Sequence, residues 1–296
     1  MRTSLMRRVE TDVLGNKQDQ SANAGAVAIQ AGGNVNYHGL SVAEVRELCG
    51  LFLRNNFPEL REEAKRAAQQ HVESFAAALE AKLVTDAATI VLNKFAEPDV
   101  QATINDAVQA SARKGQGANP QILASLISER VSVSASDYKD IVLSEAVKVV
   151  PRLTAQQIAL ISLIQFVKSI TISNQPHIGS LEPFGRVALK FSGPGFNLSE
   201  SQKQHIQYSG ACSVNQLVSG DIFEALRSGA YAYFGIPDTP SFKGALQSQA
   251  PSFYALLEQA NKENVFAINL TSVGQAIAIA NISNYLGKID YSIWLK

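Results

Sequence analysis

The sequence predicts a mainly α-helical protein with a small β component (α+β): an N-terminal β-hairpin, a long amphipathic helix, a helical domain, and C-terminal helices with a small antiparallel sheet. Three observations carry this reading. Apolar residues recur at helical spacing from Leu60, Ala64 and Ala68 through Val72, Phe75, Leu79, Leu83 and Ala87 to Ile90. Helix-start residues stand ahead of the periodic segments, at Ser41, Pro58, Thr154 and Ser199. Strict apolar–polar alternation is confined to short runs near 27–37, 186–191 and 289–295. The chain divides on this basis into an arm and hairpin (1–39), a long helical segment (40–97), a helical domain (98–172) and an α+β C-terminal domain (173–296).

The elements follow in order. Residues 1–21 are polar and without a sustained period. In residues 22–39, Val27 and Ile29 alternate, as do Val35 and Tyr37, around Ala31-Gly32-Gly33-Asn34. Two alternating runs about a Gly-Gly-Asn turn predict a β-hairpin. An isolated hairpin is marginal in water, so this one has to pair with the rest of its chain or with copies of itself. Ser41-Val-Ala-Glu44 fits a capping box, with Leu40 and Val45 placed as a staple. Pro58 suits the first turn of the next helix. From there to Phe95 no internal Gly or Pro interrupts the pattern, and the apolar step averages about 3.75 residues. One helix over 58–95 is therefore expected, with Phe75, Leu79 and Leu83 at its contacts with a partner helix from the same chain or another subunit.

Beyond Pro98, residues 102–112, 120–131 and 137–150 read as helices. Thr154-Ala-Gln-Gln157 is a second capping box, and the helix it opens, to about Ile170, is apolar nearly all round and therefore central. Arg186–Phe191 alternates and is expected to be a half-buried strand. Ser199-Glu-Ser-Gln202 caps another helix, and 222–227 and 251–261 are helical. The C-terminus reads as strand (265–269), helix (270–285) and a last alternating strand (289–295).

Composition bounds function without naming it. Among 296 residues, 26 are Lys or Arg and 26 are Asp or Glu. The halves are also balanced, with 16 basic and 18 acidic residues in 1–150. That excludes a disordered chain and a strongly basic nucleic-acid binder, although a local basic patch remains compatible with it. Cys49 and Cys212 are too few for a disulfide framework or a zinc site and read as reduced, buried thiols. The basic Met1–Arg8 stretch runs into Glu10 and Asp12 rather than an apolar core, so a cytoplasmic protein is expected. The uncharged stretch 264–287 holds Asn264, Asn269, Gln275, Asn281 and Asn284, and is read as buried in protein rather than membrane-spanning.

Standard catalytic motifs are not found. Gly193-Pro-Gly195 is the nearest thing to a phosphate cradle, but Pro194 lacks an N–H and no Lys-Ser/Thr follows, so it reads as a loop. His38, His71, His177 and His205 lie at no metal-ligand spacing, and a His205–Cys212 pair could form only through tertiary structure. No catalytic residue, cofactor or metal is expected.

Two resemblances add a context. Ile29-Gln30-Ala31-Gly32 resembles the aliphatic–Gln–aliphatic–Gly core of amyloid-type signalling motifs such as the RIP homotypic interaction motif, with Ala31 in place of the second aliphatic residue. The Gly/Asn-rich strand segment, Gly39–Glu47 and the Pro58 helix together resemble uncharacterised bacterial proteins found among anti-phage and abortive-infection genes. The ending Leu270-Thr-Ser-Val-Gly274 is similar to endings of helical abortive-infection families and to the wing-to-helix junction of winged-helix proteins. In both, Thr271 would cap the helix and Gly274 would allow close packing. The expectation is a non-enzymatic, self-assembling component of an anti-phage defence system, acting by oligomerisation and partner binding. Val27, Ile29, Gln30, Gly32, Gly33, Val35, Tyr37, Phe75, Leu79 and Leu83 are its candidate assembly residues. The partner is the chain itself, with a second defence protein in prospect. Nucleic acid and membrane are less favoured, through the alternatives of a winged-helix nucleic-acid-binding regulator or a membrane-acting effector.

Overall fold

The structure, a computed structural model, describes residues 40–53, 58–133 and 136–295. The hairpin expected at 22–38, with its seven candidate assembly residues Val27 to Tyr37, lies outside the described residues. The chain forms two compact units, residues 1–58 and 59–296.

The described part of the first unit is helix α1 (Val42–Leu53). The Ser41 box forms: Ser41 N–H donates to Glu44 Oε2 at 2.6 Å and Glu44 N–H donates back to Ser41 Oγ at 3.3 Å. Val42, Val45 and Leu48 are exposed on this helix. Cys49 is exposed with them, which corrects the expectation of two buried thiols. Apolar neighbours in sequence signal burial only where the helix face they share is covered.

The second unit is an assembly of eleven helices and one small sheet among the described residues. In order these are α2 (Pro58–Thr85), α3 (Pro98–Lys114), α4 (Pro120–Arg130), α5 (Asp137–Val149), α6 (Ala155–Ser169), α7 (Glu182–Ser192), α8 (Glu200–Tyr208), β1 (Cys212–Val214), α9 (Ile222–Ser228), α10 (Thr239–Gln249), α11 (Pro251–Lys262), β2 (Ile268–Leu270) and α12 (Ser272–Leu286). The sheet is antiparallel, with Cys212 opposite Leu270 and Val214 opposite Ile268. Its strands are separated in sequence by α9, α10 and α11, so they do not form the hairpin wing of a winged helix.

At the centre α12 packs on α6. Ala276 to Ala280 and Ile282 are fully buried on α12, and Ile158 to Val167 are buried on α6. An element apolar on all sides has to sit inside, because each Ile or Leu removed from water contributes about 1.5–3 kcal/mol. The caps work as read. Thr154 and Gln157 bond reciprocally at 2.9 and 3.2 Å. Gly274 N–H donates to Thr271 Oγ1 at 3.1 Å. A Cβ on Gly274 would strike the Ala211 carbonyl, so glycine is what lets α12 start against the sheet. One core continues across residue 172, from Phe75 on α2 to Leu295.

Three expectations are corrected. The helix from Pro58 ends at Thr85 instead of reaching Phe95, and residues 87–89 and 92–96 are 3₁₀ turns. Here the backbone leaves the helix to pair with the chain after α4: Val91 N–H donates to Val131 O at 2.9 Å, and Val133 N–H to Thr89 O at 3.0 Å. Residues 186–191 are helix, not strand. Burial of Leu181, Gly185, Ala188 and Phe191 steps by four, three and three, a helical period, and Val187 and Phe191, four apart, fit one helical turn as well as they fit an alternating strand. Gly185 sits against the backbone of Phe253, which lets α7 cross α11 closely. Residues 289–295 contain a 3₁₀ turn at 291–293, with Tyr291 and Leu295 buried one helical turn apart. Helix α10 and strand β1 carried no strong pattern and were not anticipated.

Candidate interaction surface

The candidate assembly residues on α2 meet different fates. Phe75 is 2% exposed inside the core, so its partner helices come from its own chain. Leu79 is half-buried against that core. Leu79 and Leu83 together line an open apolar groove of about 640 Å³ with Ala76, Val84, Ala87, Ile90, Leu92 and Phe95; Glu80 is its one charged lining residue. Val84 and Leu92 are 71% and 79% exposed. Sequence reading placed Leu79 and Leu83 at a contact but missed Ile90, Leu92 and Phe95 as a second wall, because it continued the helix through them. A continuous helix would have put Leu92 on the face opposite Leu83. The turn at Asp86 folds residues 90–95 back instead, and a groove results.

That turn is held by polar contacts. Ser128 on α4 donates its hydroxyl to Asp86 Oδ2 at 2.6 Å, and Lys82 Nζ lies 3.0 Å from the same oxygen. Burial pushes the Asp86 carboxyl up, but the bonds from Ser128 and Lys82 outweigh burial and hold it below its ordinary value of 3.8. Lys94 Nζ donates to Ser132 O at 2.8 Å and to Arg130 O at 3.4 Å. Farther along, Arg130 gathers carboxylates: Asp99 at 3.2 Å, Glu97 at 3.4 Å and Asp140 at 3.0 Å. Burial raises the Asp140 carboxyl above its usual range, against the pull of Arg130 and Lys94. A buried ion pair of Lys139 with Glu129 joins α5 to α4 beside it. These groups anchor residues 86–99 to α4 and α5, so the outer wall of the groove is fixed and not a loose loop.

The other residues weighed for chemistry do not converge. His205 Nδ1 lies 3.2 Å from Gln157 Nε2. The Cys212 thiol is buried, which pushes its pKa up to about 11 and disfavours the reactive thiolate. Gly195 of the Gly-Pro-Gly turn abuts the α6 backbone at Leu160, a packing role. No group of three or more His, Cys, Asp or Glu able to hold a metal occurs among the described residues. Among the same residues, no helix is long and apolar enough to cross a membrane.

A model of one protein family, of unknown function, matches residues 39–237 and 232–295, and the chain belongs to that family. None of the curated proteins and none of the solved structures matches it.

Proposed function

We propose that this protein is a non-enzymatic, self-assembling component of a bacterial anti-phage defence system, acting through oligomerisation and partner binding. The observation that supports the reading best is the groove of Leu79, Leu83, Val84, Ile90, Leu92 and Phe95. Apolar side chains held open to water by a fixed scaffold mark a surface that another protein covers. The occupant proposed is a second copy. The same chain carries the β-prone run Val27–Tyr37, and its α1 presents Val42, Val45 and Leu48 to solvent. The defence role rests on the sequence resemblance alone.

Absolute mass in solution by light scattering tests assembly. The full chain should be a defined oligomer or fibre. A chain starting at Gly39 should be smaller, as should a Val84→Glu, Leu92→Glu double variant. If all three are monomers, self-assembly is wrong, and DNA and liposome binding become the measurements that decide between the alternatives. Phage plating on cells with and without the gene tests the defence role separately. Equal plating across a phage panel would reject it.

A further inference from the structure

Helix α1 and the groove on α2 each lack a covering surface. Every residue of α1 from Val42 to Cys49 is exposed. Val42, Val45, Leu48 and Cys49 nevertheless share one face of that helix, at steps of three, three and one, and Glu47 stands opposite. A helix of twelve residues is marginal in water unless its apolar face is covered. The groove has the converse need: Leu79, Leu83, Val84 and Leu92 line it on an anchored scaffold that is open to water.

The two surfaces match in length and in charge. The groove follows α2 from Ala76 to Val84, about 12 Å of helix. The α1 face from Val42 to Cys49 covers about 10 Å. Glu80 is the one charged residue in the groove lining, and Arg46, one turn on from Val42, borders the α1 face with the opposite sign.

A chain cannot fill its own groove with its own α1. Measured along α2 from Pro58, the groove runs from about 27 Å at Ala76 to about 39 Å at Val84, with Glu80 near its centre at about 33 Å. Leu53 precedes Pro58 by five residues, which adds at most about 18 Å of reach when fully extended. Val45 lies a further 12 Å or so back along α1, so it reaches about 30 Å at most, and Leu48 only about 26 Å. Both fall short of the centre of the groove. A second copy has no such tether.

We propose that α1 of one copy docks lengthwise in the groove of a second copy, with Val42, Val45 and Leu48 against Leu79, Leu83 and Leu92. The inference rests on the self-assembly reading and names the contact: an amphipathic helix laid in an apolar groove. Two copies that exchange their α1 helices about a two-fold axis fill both grooves and close the contact.

Light scattering on full-length proteins tests it. The parent is compared with the groove variant Val84→Glu, Leu92→Glu and with an α1 variant, Val45→Glu, Leu48→Glu. All four positions are exposed in the single chain, and an unchanged thermal midpoint at high dilution verifies that each variant is folded. The α1 variant should lose as much mass as the groove variant. An equimolar mixture of the two variants should then regain mass, about twofold over either alone, because one carries a competent groove and the other a competent helix. Parent mass in the α1 variant beside a dissociated groove variant would overturn the proposal and leave self-assembly standing, with another segment in the groove. A mixture that stays at the mass of its components would overturn it as well. Parent mass in both variants would remove the groove as an interface and this inference with it. A monomeric parent would overturn the inference together with the reading it rests on.

Discussion

Helices α12 and α2 spend the same kind of side chain in opposite ways. On α12, Ile277, Ile279 and Ile282 are fully buried, and the chain supplies every surface that covers them. On α2, Phe75 is covered by the chain, while Leu83 and Val84 two turns later line an open groove. The difference begins in the sequence. Helix α12 has no charged residue over its fifteen positions, so water has no claim on any of its faces. Helix α2 is rich in Glu, Lys and Arg through its first half, and its apolar stripe is narrow. A narrow stripe needs one partner; at the C-terminal end of α2 the fold provides only a second wall.

The largest expected effect breaks the α12 side of the comparison. Ile277→Asp puts a charge where the side chain is fully buried, on a helix packed on α6, α5 and α4. A carboxylate there has to be protonated or the helix expelled, and a loss of more than about 4 kcal/mol is expected. Chemical denaturation should show no cooperative native baseline near neutral pH. A folded, cooperatively melting variant would mean that α12 is less central than its burial indicates.

How much of this was legible in the sequence depended on what fixed each element. Helix starts were readable wherever a side chain closes its own cap, as at Ser41, Thr154, Ser199 and Thr271, because those bonds lie within four residues. The centrality of α6 was readable from its unbroken apolar surface. What misled was decided at long range. The end of α2 is set by pairing of Ile90 with Ser132 and by Ser128 on Asp86, about forty residues away. The short run 186–191 fits both periods, and only burial of Gly185 and Ala188 separates them. The groove was half legible. Leu79 and Leu83 belonged to a visible stripe, whereas Leu92 and Phe95 became its neighbours only through the turn.

The next effect sharpens the comparison at that turn. Asp86→Asn keeps the shape of the side chain and removes the charge that Lys82 faces; Ser128 can still donate to the amide oxygen. The side chain of Asp86 is 8% exposed, so a loss of about 1–3 kcal/mol is expected at neutral pH. The acid limb should change as well. The Asp86 carboxyl titrates below 3.8 in the folded chain, so its contribution is complete above that value and lost as pH falls through its folded value. Asp140 acts in the opposite sense: its raised carboxyl is the more stable for being protonated, so its penalty is relieved as pH falls through its folded value. In Asp86→Asn the loss of stability on acidification should be shallower than in the parent. If the two pH profiles run parallel, Asp86 does not hold the turn through its charge.

The smallest expected effect on stability is the most informative about the groove. Val84→Glu with Leu92→Glu changes two side chains that are already 71% and 79% exposed. Neither loses packing within the chain, and surface changes away from buried features stay within about 0.5 kcal/mol. The thermal midpoint of the dilute protomer should therefore hardly move. If α2 differs from α12 because its covering surface belongs to another molecule, the same two charges should have a large effect on mass. Each would face a carboxylate into apolar contact, and the oligomer should dissociate. Measuring both quantities on one preparation separates the cases. A fall in mass at constant stability means that the groove is covered from outside. A fall in stability at constant mass means that the described chain itself covers Val84 and Leu92 in solution, and the contrast between the two helices would then be one of degree.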